Sequence, residues 1–150
     1  MLDSLPQELK PPVDKTTISI KTPPHSIEAE QSVLGGLMLD NQSWDNIVDK
    51  ITSVDFYNPA HRLIYDAITE LSSSSKPFDP LTLAETLENK AELKNAGGLS
   101  YLTELVGNVP SIANIRAYAE IVYERSMLRQ LINASQKIAD RAYHPEGRNS

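Results

Sequence analysis

An all-α fold is predicted for this chain: a compact multi-helix globule followed by one long helix. Three observations predict it. The stretch Ser111–Tyr143, SIANIRAYAEIVYERSMLRQLINASQKIADRAY, contains neither Pro nor Gly; Pro110 precedes it and His144-Pro145-Glu146-Gly147 stops it. Pro59 and Pro80 each follow a capping residue, Asn58 and Asp79, at the head of an apolar run. Proline is well tolerated at that first helical position, because its missing N–H would be unpaired there anyway. No run alternates apolar and polar residues for long enough to read as a strand.

Residues 1–24 carry five of the ten prolines and no sustained period. They read as a Pro-rich tail without a fold of its own, extended near the Pro pairs. Ser26 then caps a helix running to about Leu39, with Glu28 and Glu30 in the first turn, where negative charge meets unpaired N–H groups. Ile27, Leu34, Leu37 and Met38 recur at helical spacing. Gly35-Gly36 in its middle costs about 1 kcal/mol per glycine against alanine, which predicts another backbone passing close by. It is not a phosphate loop, since no G-K-[ST] follows.

Asp40-Asn41 makes a turn into a short helix holding Trp44, Ile47, Val48 and Ile51. Asn58-Pro59 opens a helix through Ile64, Tyr65, Ile68 and Leu71 that ends in Ser72–Ser75. Asp79-Pro80 opens another with Leu83 and Leu87. Gly97-Gly98 breaks the chain before a short helix with Leu99, Leu102, Leu105 and Val106. The expected organisation is a tail at 1–24, a helical globule at 25–109, a long helix at 110–144 and a closing turn at 145–150.

The long helix, capped by Ser111, would span roughly 50 Å, more than a globule of this size needs. Its apolar residues change face along the way. Ile115, Tyr118, Ala119 and Val122 form one stripe; Met127, Leu128, Leu131, Ile138 and Ala142 form another, about half a turn around at 100° per residue. A straight helix with this pattern exchanges one packing partner for another near Tyr123–Met127. The plainer alternatives are a kink there, or burial all round.

Composition narrows the functions. A net charge of −6 argues against a surface built to neutralise phosphates. The absence of cysteine removes disulfides and thiolate metal sites. No apolar run of about 18 residues occurs and the N-terminus lacks a signal pattern, so a soluble, cytoplasmic protein without membrane association is expected. His25, His61 and His144 show no metal-helix spacing, and His61 reads as a half-buried packing histidine. Glu28/Glu30 and Glu85/Glu88 are explained by solvated helix faces rather than by acid–base catalysis. The six tyrosines lack the interleaved Arg and Lys of a single-strand platform and read as packing residues with wet hydroxyls. No catalytic, cofactor-binding or metal residue is assigned. On chemistry alone the chain is an interaction domain, with a small nucleic-acid-binding module and a carboxylate-pair hydrolase as alternatives.

Four blocks go further: PPHSIEAEQSVLGGLMLD at 23–40, DFYNPAHRLIYDAI at 55–68, KPFDPLTLAETLE at 76–88, and GGLSYLTELVGNVPSIANIRAYAEIVYERSMLRQLI at 97–132. In this order they resemble the N-terminal domain of the bacterial replicative DNA helicase, the DnaB family, over roughly residues 22–150. The resemblance implies a hexameric, ATP-driven motor that unwinds duplex DNA at the replication fork. ATP and Mg would belong to a separate RecA-like domain, and the chain carries no Walker A sequence. It implies a collar of N-terminal domains, each a helical globule with a protruding hairpin, where primase docks and where a helicase loader or phage loader acts. DNA would be met only through the full-length parent.

On that resemblance the first half of the long helix packs on the globule and the second half is the first arm of the hairpin. The second arm is expected after residue 150. Ile115, Tyr118, Leu128, Leu131 and Ile138 are the candidate packing or self-association residues. Tyr101 and Glu28 are candidates for a partner surface, with a core tyrosine and a dipole-complementing glutamate as the plainer alternatives.

Overall fold

Ser26 starts the first helix as its side chain predicts, its Oγ accepting a hydrogen bond from the Ala29 N–H at 3.2 Å. The computed structural model describes residues 21–145; residues 1–20 of the expected tail and 146–150 of the expected closing turn lie outside the described residues. Helix α1 (Ile27–Leu39) is the centre of the globule. From Ala29 to Met38 every side chain except Gln31 is buried, because α3 (Pro59–Ser73), α5 (Gly98–Gly107) and α6 (Ile115–Tyr143) all pack against it. The glycine pair makes two of these approaches possible. A Cβ on Gly35 would lie 2.2 Å from the Leu105 carbonyl oxygen of α5 (Gly98–Gly107), and one on Gly36 would lie 3.1 Å from Cδ1 of Ile115 on α6. The backbone predicted to pass close by is therefore α5.

Asp40 accepts from the Gln42 N–H and turns the chain through a 3-10 turn, Asn41–Ser43, into α2 (Trp44–Ile47). This helix is a single turn, shorter than expected. Val48 is exposed and Ile51 is buried beyond its end, because Thr52 and Asp55 begin a new 3-10 turn, Ser53–Asp55, just behind it. Asn41 meanwhile clamps the loop before α4: its amide donates to Leu37 O and Phe78 O and accepts from the Phe78 N–H.

The two Pro-headed helices form where predicted. Asn58 caps α3 (Pro59–Ser73). Asp79 and Thr82 cap α4 (Pro80–Asn89) reciprocally, each side chain accepting from the other's backbone N–H. Gly97, at φ 105°, supplies the left-handed turn into α5 that a Cβ would resist. The core fills the space between these helices with Leu34, Phe56, Ile64, Ile68, Leu87 and Leu102, all fully buried. Among the described residues there is no strand, and no helix is long and apolar enough to cross a membrane.

The last helix starts later than the sequence suggests. Ser111 is extended and its side chain caps nothing; a 3-10 turn, Ile112–Asn114, intervenes before α6 (Ile115–Tyr143). That extra turn swings Ile115 onto Gly36 of α1. From Ile115 onward α6 is unbroken for 29 residues, so its change of face occurs along one continuous helix.

Candidate docking arm

The first half of α6 is seated on the globule by the predicted stripe. Ile115, Ala119 and Val122 are buried, Tyr118 packs at the edge of the core, and Ser126 extends the same line. Val122 is the last apolar side chain of α6 to be buried. After Arg129 every described residue of the chain is exposed. The helix from there to Tyr143 is an arm standing free of the globule, about 20 Å long at 1.5 Å per residue.

The free face of this arm is apolar. Leu131 is 63% and Ile138 68% exposed, with Leu128 at 41%. Leu128, Leu131, Ser135, Ile138 and Ala142 follow one another at spacings of three and four, an average period near 3.5 that lays a narrow seam along a helix. Full burial of one such Leu or Ile is worth about 1.5–3 kcal/mol, so covering the seam would release free energy. Beyond Arg129 the arm carries Lys137 and Arg141 against Asp140, in a chain whose net charge is −6, and these charges lie off the apolar seam.

At the root of the arm the contacts become polar. Ser126 Oγ donates to Asp55 Oδ1 at 2.7 Å, while Asp55 Oδ2 accepts from the Thr52 N–H at 2.8 Å. The Arg129 guanidinium donates from Nη1 to Pro24 O and from Nη2 to Asp55 O, both at 2.7 Å. It also lies 5.5 Å from the centre of the Tyr57 ring, on which His25 stacks at 4.1 Å. Asp55, Ser126 and Arg129 went unread in the sequence; a basic residue on the seated face of a helix was the available signal.

A second polar cluster lies in the core, and it corrects the reading of the carboxylate pair. Glu28 is exposed in the first turn, as expected, but Glu30 is buried. Its oxygens accept from the Tyr57 N–H at 2.7 Å, the Asn58 N–H at 3.3 Å and His61 Nδ1 at 2.7 Å. His61 is fully buried rather than half-buried; with Nδ1 donating to Glu30, its Nε2 accepts from the Tyr101 hydroxyl at 2.6 Å. Gln31 donates to that same hydroxyl at 3.2 Å. Tyr101 is therefore partly buried, its ring parallel to His61 and its hydroxyl committed inside the fold. Burial raises its pKa, with Glu104 and Glu30 adding to the rise and the Gln31 hydrogen bond opposing it. Tyr65 likewise gives its hydroxyl to Ile51 O, so both hydroxyls have partners inside the fold.

The core cluster stitches α1, α3 and α5 together, and the arm remains as the surface with unspent chemistry. A family model described as the DnaB-like helicase N terminal domain matches residues 22–124. The chain belongs to this family. The replicative DNA helicase DnaB of Haemophilus influenzae is 44% identical over 136 residues, covering 91% of this chain and 29% of the relative. The chain thus spans less than a third of that relative's length. Among solved structures, the N-terminal domain of DnaB helicase from Mycobacterium tuberculosis superposes with a TM-score of 0.81 at 38% identity, covering 83% of this chain and 89% of that one. A DnaB-like replicative helicase, described with its interactions with primase, superposes at 0.70 and 26% identity over 79% of this chain and 28% of its own. The family match ends at Glu124, just before the root of the arm.

Proposed function

We propose that this chain is the N-terminal collar domain of a bacterial replicative DNA helicase, serving self-association and the docking of primase. The observation that carries the reading is the exposed seam of Leu128, Leu131 and Ile138 on an arm seated at one end only. Exposed apolar residues in such a row mark a surface that another molecule covers. The DnaB-like relative described with primase adds support, because the chain shares its fold at 26% identity. On this reading the arm is the first half of a helical hairpin, and a helicase loader or phage loader engages the same collar. The parent would be an ATP-driven helicase of the bacterial cytoplasm, with ATP, Mg and DNA handled by its motor domain and none by this one.

The test is binding to purified bacterial primase, measured by fluorescence anisotropy. Leu131→Asp should weaken the complex at least about tenfold, in line with loss of a central apolar anchor, while the far-ultraviolet circular dichroism stays that of the wild type. Unchanged affinity would overturn the arm as the docking face.

A further inference from the structure

The root of the arm carries more structure than a seat requires. Beyond Val122 no apolar side chain of α6 is buried, and among the described residues two polar side chains fasten the exit of the arm: Ser126 to Asp55, and Arg129 to the carbonyls of Asp55 and Pro24. Ile115, Ala119 and Val122 hold the first half of α6 down, with Tyr118 and Ile121 packed against the edge of the core. Past those residues, Arg129 adds a restraint where the arm leaves the globule. Its guanidinium is a rigid planar fork, and here its two ends grip two segments far apart in the chain: the 52–58 loop of the globule and the strap preceding α1. His25 stacks on Tyr57, over whose ring the Arg129 guanidinium also sits, so strap, loop and arm meet at one ring. The 52–58 loop is itself anchored from the core side by Glu30, which accepts from the N–H groups of Tyr57 and Asn58.

We propose that Arg129 and the Pro24–His25 strap form a latch that fixes the direction in which the arm leaves the globule. Arg129 is a positioning residue: it sets where the seam is presented, and the seam makes the contact. The leverage is large, because the arm beyond Arg129 is a stiff helix about 20 Å long, whose tip moves about 5 Å for a swing of about 15°. Displacing the strap removes one of the two carbonyls the fork holds and the histidine from the tyrosine face. The N-terminal strap thereby controls the arm without touching the seam. The latch rests on the docking reading only for its purpose; its geometry is internal to one chain.

The chain has no cysteine, so two introduced thiols are unique labelling sites. Spin labels at Ala139→Cys on the arm and Glu88→Cys on α4, both exposed positions, report the arm direction by pulsed electron paramagnetic resonance. The measurement is made in a Leu131→Asp background, which keeps it intramolecular whether or not the seam self-associates. A single narrow distance distribution is expected with the latch intact. Arg129→Ala should shift or broaden it by about 4 Å, the movement of residue 139, about 15 Å beyond Arg129, for the same swing. Arg129→Lys should do the same, because an ammonium keeps the charge but lacks the fork. His25→Ala, a change on the strap outside every helix, should broaden the distribution in the same sense with the helical signal unchanged. Rescue by lysine would overturn the fork as the holding element. An unchanged distribution in His25→Ala would overturn the strap's part, and one in Arg129→Ala would overturn the latch altogether.

Discussion

Glu30 holds a buried carboxylate between three donors: two backbone N–H groups at the start of α3 and the His61 ring. Removing it leaves all three donors without their acceptor. Glu30→Ala should therefore cost about 3 kcal/mol, the scale of leaving buried hydrogen-bond donors unpaired, read as a lowered midpoint in urea. The phenols of Tyr65 and Tyr101 add a pH dependence. Both titrate above the ordinary tyrosine value of 10.0 in the folded chain, chiefly because burial disfavours the phenolate. Between the unfolded and folded values the native state holds more protons, so this stability is complete below pH 10 and is lost as pH rises through the folded values. Urea midpoints measured from about pH 9 to pH 12 should fall more steeply in the wild type than in Tyr65→Phe, which has no proton to lose at that site. The stitch was partly legible. Glu30 stands four and seven residues before Leu34 and Leu37, and His61 stands three and seven before Ile64 and Ile68, so helical spacing alone puts both on buried faces. Their pairing across 31 residues was not legible, since nothing local links them.

Among the elements, α1 and α5 approach through the absence of a side chain. Gly35→Ala would drive a methyl into the Leu105 carbonyl and Val109, forcing the helices apart at a cost of about 2 kcal/mol, the usual range for overpacking. Gly107→Ala, with nothing within 4 Å of the new Cβ, should not lower the thermal midpoint, since alanine is the better helix former. A differential scan of the two variants checks both. Helix starts that rest on a local device were readable directly: Ser26, Asn58-Pro59 and Asp79-Pro80 each cap as their side chains predict. The end of α2 and the start of α6 were not. The chain leaves α2 after Ile47, with the Thr52/Asp55 turn beyond it, and α6 begins past Ser111 with Ile115 seated on Gly36. A capping residue in sequence identifies a candidate start, and packing decides whether the chain uses it.

For the whole molecule the decisive feature is that α6 has two faces half a turn apart. One face belongs to the globule through Ile115, Ala119 and Val122; the other stands in solvent with Leu128, Leu131 and Ile138. Both stripes were legible because 100° per residue is a property of any helix. The polar root between them was not, because Arg129 bonds to backbone oxygens of residues 24 and 55, which no residue type announces. The free seam is expected to associate with a second copy of the chain. Sedimentation velocity over a concentration series tests this on the wild type beside a Leu131→Asp/Ile138→Asp variant. The wild type should sediment as a species heavier than the monomer, and the variant as a monomer with the same helical signal. A wild type that stays monomeric throughout, or a variant that sediments like it, would rule out association through the seam.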